Sequence, residues 1–337
     1  MSGKFVITFI VENGDLEQKA ALLLKSLVRN LKDNREKVDI IAIKPRLGKQ
    51  LSNTTIQLFK ENKVIYYDVD LNKNWKLPFA NQAYATAFIE SLYKDDVLLY
   101  LDSDIVCLNN PFNLSLTDKQ KIGIAPDSFL RENVSILKGD KFDYYWKYLS
   151  CKLLNKEIEK KNFFTVYNAV DNKEVYAYFN SGVIIEKTSF GIFNKWKKAF
   201  DALSEDNEIK KWQKNNVKAY HFLDQIIISL LIVNECRIDE IKLLSKEFNF
   251  PFGLFYKVLL KGIKINFNEI TFLHYHWQFY NISWLKYIEI NKETKSFLLE
   301  YIPLQSGKHK IKFLDLIQHK ILVFLNLMIY RIIHKIR

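Results

Sequence analysis

Apolar residues fill almost every position from Lys4 to Val11, then recur every three or four positions from Leu16 to Leu31. The first pattern predicts a buried strand and the second an amphipathic helix. The alternation continues with a strand over Val38–Ile43, a helix over Ser52–Asn62, a strand over Val64–Val69 and a helix over Ala80–Tyr93. A further apolar run, Leu98-Leu99-Tyr100-Leu101, reads as the next strand. Strands alternating with helices in this way predict a doubly wound parallel sheet.

Beyond that run the periodicity loosens. Lys121–Ala125 reads as a strand and Phe142–Leu154 as an aromatic helix. Tyr176–Ile185 reads as a strand interrupted by Asn180-Ser181-Gly182, where the glycine either admits a ligand or second backbone or marks an ordinary bulge. Phe190–Leu203 and Phe222–Val233 read as helices, the latter opening on Asp224-Gln225, where an aspartate also suits the helix dipole.

The apolar run at Leu98–Leu101 ends in Asp102-Ser103-Asp104. If the strand continues through the pair, residues two apart share a face and both carboxylates aim together. Like charges so placed raise each other's pKa unless a cation lies between them or one keeps its proton. Mg²⁺ or Mn²⁺ shared with diphosphate oxygens is the simplest resolution. Asn109-Asn110-Pro111 follows as a turn signal. The pair thus falls at the carboxyl edge of the sheet, where open α/β sheets place ligands.

With 337 residues, 48% of them hydrophobic, the chain can bury one large core or two modest ones. Ten glycines and six prolines leave little room for flexible linkers. Cys107, Cys151 and Cys236 are too few and too far apart for a disulfide framework or a zinc cluster, which points to a reducing compartment. The formal charge of +12 comes from abundant lysine, with no RNA-binding aromatic signature or helix-turn-helix beside it, so nucleic acid is not an expected partner. Val6–Val11 is short and runs straight into Glu12 and Asp15, which suits a core strand better than a secretory signal; a cytoplasmic protein is expected.

Taken in order, the motifs are an apolar strand ending in Asp102-Ser103-Asp104, then Phe179-Asn180-Ser181-Gly182-Val183, then Asp224-Gln225 on a helix. A late histidine segment, Ile270-Thr271-Phe272-Leu273-His274-Tyr275-His276, completes the series. Together they resemble the nucleotide-sugar glycosyltransferases of the GT-A fold, most of all family 8, the glycogenin and lipooligosaccharide galactosyltransferase group. The likeness runs from about Lys4 to Trp284.

The resemblance implies a Rossmann-like mixed α/β sheet flanked by helices over residues 1–300. A nucleotide-binding half would span 1–107 and a sugar and acceptor half 108–300. It implies Asp102 and Asp104 as ligands of Mn²⁺ or Mg²⁺, with His274 or His276 as the third; the two histidines share a face if their strand continues. Ser103 would lie near the ribose, Asn180, Ser181, Gly182 and Asp224 on the donor sugar, and Gln225 near the anomeric carbon. The nucleotide is expected at the strand ends, against Val11, Glu12, Asn13, Asp68 and Asp70, with Lys76 or Asn81 in reach. The family follows its histidine with a glycine, a lysine and a Pro-Trp that contact the diphosphate. This chain has Trp277-Gln278-Phe279-Tyr280-Asn281-Ile282-Ser283-Trp284 instead, with no lysine.

The implied activity is metal-dependent transfer from a nucleotide sugar, expected to be a UDP-sugar, to a glycan or glycolipid in surface polysaccharide or lipopolysaccharide biosynthesis. Inversion would need a carboxylate base, for which Asp224 is the first candidate. Retention would use Gln225 and the leaving phosphate in a front-face attack. Two other readings stand beside it. A haloacid dehalogenase-type phosphohydrolase also places Asp-x-Asp after a strand, but wants threonine soon after, where Ile105-Val106-Cys107 stand. A catalytically inactive nucleotide-sugar or glycan-binding module is the other.

Residues 308–337 combine Lys308, Lys310, Lys312, Lys320, Arg331, Lys335 and Arg337 with the apolar runs Ile321–Leu325 and Leu327–Ile329. The apolar stretch is too short to span a bilayer. It predicts a basic amphipathic helix lying on an anionic membrane surface, making the enzyme peripheral; the other reading docks the helix on the chain's own core or on a partner subunit.

Overall fold

The computed structural model describes residues 4–73, 75, 78–130, 134–159, 163–252, 266–276, 279, 288–302 and 304. The predicted alternation forms nearly as read. It comprises β1 (Phe5–Ile10), α1 (Asp15–Leu31), β2 (Val38–Lys44), α2 (Asn53–Glu61), β3 (Ile65–Asp68), α3 (Ala80–Leu92) and β4 (Val97–Leu101). The predicted start of α2, Ser52, is its N-cap, its hydroxyl accepting from the Thr55 amide. Next come β5 (Ile105–Cys107), β6 (Ile122–Pro126), α4 (Tyr144–Leu154), β7 (Thr165–Tyr167), β8 (Glu174–Tyr176) and β9 (Phe179–Lys187). The chain continues through α5 (Ile192–Leu203), α6 (Asn207–Lys214), α7 (Lys218–His221), α8 (Leu223–Glu235), β10 (Ile241–Leu243), β11 (Phe250–Pro251), β12 (Phe272–His274) and α9 (Lys292–Tyr301).

Among the described residues the main sheet has seven strands in the order β10-β6-β9-β4-β1-β2-β3. It is mixed, as the GT-A resemblance implies, and not the wholly parallel sheet that alternation alone predicts. The odd strand is β9, antiparallel to both β4 and β6. After β6 the chain makes α4 and the β7–β8 hairpin, and re-enters the sheet where Phe179 pairs with Pro126 at the end of β6. Without a crossover back to the amino edge, β9 has to run against its neighbours. Its first residues therefore land beside the end of β4.

Helices cover both faces of the sheet. Along β1, Val6 and Ile10 pack on the side of α3, α5 and α8, whereas Ile7, Phe9 and Val11 pack on the side of α1 and α2. Leu23, Leu24, Leu27 and Leu31 fix α1 to the sheet, each fully buried and each contributing about 1.5–3 kcal/mol over exposure.

Three local expectations change. The strand at Leu98 stops at Leu101, and Asp102-Ser103-Asp104 is a tight turn in which the Ile105 amide donates to the Asp102 carbonyl. A turn, not strand alternation, brings the two carboxylates together. Asn180-Ser181-Gly182 does not interrupt its strand but forms a bulge within β9, since Ile124 pairs with Ile184 while Ala125 pairs with Asn180. The stretch before it, Glu174–Tyr176, is a separate strand. Strand β12 ends at His274, and His276 has a left-handed backbone with φ of 51°. Lys76, Trp284 and the basic tail 308–337 lie outside the described residues. Among the described residues no helix is long and apolar enough to cross a membrane.

Candidate active site

The acidic turn is clamped to the bulge, because the Asp102 amide donates to the Gly182 carbonyl at 2.8 Å. Directly after the turn, β5 leaves the main sheet and pairs with β12, which sets His274 opposite Ile105. His274 Nε2 then lies 3.1 Å from Asp104 Oδ1 and 3.8 Å from Asp102 Oδ2. His276 Nδ1 lies 3.6 Å from Asp104 Oδ2. The two imidazoles meet with ring centroids 4.0 Å apart although they do not share a strand face. Asp104, His274 and His276 each offer a ligand atom within 4.8 Å of the others.

Asp102 reaches this cluster with one oxygen only. Its Oδ1 accepts from the Tyr100 hydroxyl at 2.7 Å and from Gln82 Nε2 at 2.9 Å. Burial and then repulsion by Asp104 push the Asp102 carboxyl well above the usual carboxylate range. Burial, followed by the neighbouring charge of His276, lowers His274 to about 4, so its imidazole is neutral at physiological pH.

A chain of amides fixes which nitrogen of His274 carries the proton. The Gly182 amide and Asn249 Nδ2 both donate to Asn180 Oδ1, at 3.0 and 2.7 Å. Asn249 is thereby oriented with its Oδ1 toward His274 Nδ1, 3.2 Å away. An acceptor there requires the proton on Nδ1, so Nε2 presents a lone pair to two carboxylates. Three electron-rich groups facing one another is the arrangement a hard or borderline divalent cation relieves. The donor set, two carboxylates with the His274 imidazole and His276 beside it, fits such an ion.

Gly182 makes the approach of His274 feasible. A Cβ at this position would lie 2.7 Å from His274 Cε1 and 2.9 Å from Nδ1. The close approach expected of this glycine is therefore to an imidazole.

The remaining sugar-site candidates share a cavity with the acidic turn. It has a volume of about 430 Å³ and is bordered by Glu12, Asn81, Asp102, Ser103, Asp104, Asn180, Ser181, Asp224, Gln225 and both histidines. That size lies within the roughly 300–1,000 Å³ typical of small-molecule sites. Asp224 enters in the first turn of α8 and is buried, its Oδ2 accepting from the Ser181 hydroxyl at 2.7 Å. Gln225 Oε1 accepts from the Tyr178 hydroxyl at 2.9 Å.

The nucleotide candidates divide. Glu12 borders the cavity but is bound on both oxygens by Arg46, at 2.8 and 2.5 Å, and also by Asn81 Nδ2 at 3.0 Å. Asn81 in turn accepts from Asn72 Nδ2 at 2.6 Å. The Ser103 hydroxyl donates to the Ile10 carbonyl. Val11 is buried in the core. Asn13 donates to the Gln50 carbonyl, Asp68 pairs with Lys44, and Asp70 lies 3.9 Å from Lys73; none of these four borders the cavity. Tyr100 stands two residues before Asp102 on the strand, so period two could have flagged it. For Gln82, Asn249 and Arg46 no local pattern in the sequence points at the site.

The sequence model of the Rhodobacterales glycosyltransferase domain matches residues 7–235, more than half of the chain and inclusive of the acidic turn, the bulge and the start of α8. The chain belongs to this glycosyltransferase family. With that membership the phosphohydrolase reading falls away. A search of curated proteins finds no match. Among solved structures, the glycosyltransferase GlyE of Streptococcus pneumoniae TIGR4 is similar at 16% identity and a TM-score of 0.49, over 89% of this chain and 60% of that one. The galactosyltransferase LgtC, solved with donor and acceptor sugar analogues, gives 14% identity and a TM-score of 0.49 over 90% of this chain and 98% of its own. Mouse xyloside xylosyltransferase 1 gives 16% and 0.44, over 81% and 96%. The chain thus spans about three fifths of the GlyE chain. Likenesses of this size do not bear on substrate or mechanism.

Proposed function

We propose that this glycosyltransferase is metal-dependent and takes its sugar from a nucleotide donor, a UDP-sugar, for transfer to a hydroxyl of a glycan or glycolipid. The observation that carries the reading is His274 Nε2 lying 3.1 Å from Asp104 Oδ1 and 3.8 Å from Asp102 Oδ2. Asp102, Asp104 and His274, with His276 beside them, would hold Mn²⁺ or Mg²⁺. The two imidazoles favour Mn²⁺, because neutral nitrogen ligands suit transition metals better than magnesium. When bound, the ion supplies Lewis-acid stabilisation of the departing diphosphate.

The protein's own groups do the rest. In this reading residues 1–107 carry the nucleotide and 108–300 the sugar and acceptor. Glu12 and Asn81 form a rigid polar wall through Arg46 and Asn72, set for the nucleoside. Asn180, Ser181 and Gly182 present the bulge to the donor sugar, and Asp224 faces the same space while holding Ser181 in place. Asp224 and Gln225 supply oxygens toward the positive charge that develops on the sugar as the anomeric carbon–oxygen bond breaks. Phe79 and Phe222 border the cavity, and Phe79 is 39% exposed, an apolar surface suited to an acceptor sugar ring.

The test is calorimetric titration of UDP in the presence of Mn²⁺ on the enzyme and on Asp104→Ala. The enzyme is expected to bind and the variant to lose binding while its far-UV circular dichroism is unchanged. Equal affinity in the two proteins would overturn the metal assignment.

A further inference from the structure

We infer that Lys19 is the resident counter-charge of the acidic turn, and that its ammonium passes from Asp104 to the donor diphosphate when a divalent cation enters the site. The inference rests on the metal-nucleotide reading proposed above and assigns a group that the reading lacks.

Lys19 sits on the second turn of α1, three residues after Leu16, and Leu16 borders the cavity. Residues three apart lie on one helix face, so the lysine is carried on the side of α1 that meets the site. Its Nζ lies 3.4 Å from Asp104 Oδ2, and its side chain is 17% exposed. That same oxygen lies 3.6 Å from His276 Nδ1. Lys19 therefore occupies part of the space in which a cation would be held.

Charge counting shows why the ammonium is required twice. Before any ligand binds, Lys19 is the ammonium beside the acidic pair, its Nζ 3.4 Å from Asp104 Oδ2. A divalent ion neutralises both carboxylates, but the diphosphate of a nucleotide sugar brings two further negative charges. Among the described residues bordering the cavity there is no lysine or arginine. The Arg46 guanidinium, beside that wall, is committed to Glu12 through Nε and Nη2. Lys19, although outside the cavity border, has its ammonium 3.4 Å from Asp104 Oδ2, within side-chain reach of the new charge. Its long stem and three rotatable donors let it change partners without any backbone movement, and α1 itself is held by its buried leucines.

The experiment is calorimetry on the full-length protein and on Lys19→Met and Lys19→Arg, titrating Mn²⁺ alone, then UDP and uridine in saturating Mn²⁺, with thermal melts to confirm folding. Lys19→Met is expected to bind Mn²⁺ about tenfold more tightly, because the competing ammonium is gone. It should bind UDP about tenfold more weakly, the size of a lost charge-assisted contact, with uridine unchanged. Lys19→Arg, which keeps the charge, is expected to retain UDP affinity. Tighter Mn²⁺ with unaltered UDP would reduce Lys19 to a simple blocker and overturn the transfer, as would no change in either. Failure of the unmodified protein to bind Mn²⁺ or UDP would instead overturn the metal-nucleotide reading itself.

Discussion

Gly182→Ala adds one methyl group at the most crowded point of the site. The new carbon would lie 2.7 Å from His274 Cε1, 2.9 Å from His274 Nδ1 and 3.0 Å from Asn180 Oδ1. Carbon atoms in good contact sit at roughly 3.5–4.0 Å, so something has to move by almost an ångström. The glycine cannot retreat, since its carbonyl holds the Asp102 amide and Val183 pairs with Leu101. Asn180 is held by two donors. The yielding element is the His274 ring, whose tilt takes Nδ1 away from Asn249 and Nε2 away from the carboxylates. Overpacking of this kind costs about 1–3 kcal/mol, a melting temperature lower by a few degrees in a domain of this size. Misorienting a metal-binding imidazole costs about 10–100-fold in affinity. The assay is Mn²⁺ calorimetry with a thermal melt, with Gly123→Ala as the matched control. There a methyl would lie 2.7 Å from Ile185 Cγ2, deep in the sheet and away from the site. The control is expected to lose stability and keep Mn²⁺ affinity. If Gly182→Ala binds Mn²⁺ like the unmodified protein, or if the control loses as much affinity, the reasoning is refuted.

Two further predictions probe other parts of the molecule. Asp224→Asn keeps the shape around Ser181 and removes the charge, so transfer should fall by about 100-fold or more while UDP affinity stays within about threefold; undiminished turnover would leave Asp224 as a helix-terminus residue only. Glu186 lies fully buried in β9, where burial and the neighbouring Glu90 carboxylate push its carboxyl well above the usual range. Glu90 in turn accepts from the Phe193 and Asn194 amides at the start of α5. Glu186 keeps its proton when folded and loses it near 4.5 when unfolded, so stability declines as pH rises above 4.5 toward the raised value. Glu186→Gln, which cannot ionise, should melt at a higher temperature than the unmodified protein at pH 8, with the advantage disappearing below pH 4.5. A difference independent of pH would show that the proton is not held there.

Much of the first hundred residues was legible because its signals are local. The continuous apolar runs of β1, β2 and β4 and the three-to-four spacing of α1 and α3 each specify one element without outside help. Asp102 and Asp104 were legible as a pair, but the turn that joins them was not, since it depends on a hydrogen bond to Gly182 from a strand far along the chain. The direction of β9 was equally hidden, because it follows from where α4 and the β7–β8 hairpin leave the chain. Asn249 and Lys19 carry no sequence signal at all. Each matters through one atom placed against a residue distant in sequence, 25 positions from His274 for Asn249 and 85 from Asp104 for Lys19. His274 and His276 were both found, yet for a reason the backbone does not honour: the second reaches Asp104 through a left-handed turn, not through continued extension.

The pairing of β12 with β5 also gives the site a birth date. Asp104 and His274 touch across 170 residues of sequence. A ribosome adding about 5–20 residues per second needs roughly ten to thirty seconds to cover that distance. Throughout that interval the emerging chain carries Asp102 and Asp104 but not the imidazole that lies against them. In the proposed reading the metal site is therefore completed in one event, the arrival of β12, so that a chain interrupted before β12 holds the carboxylates without the imidazole beside them.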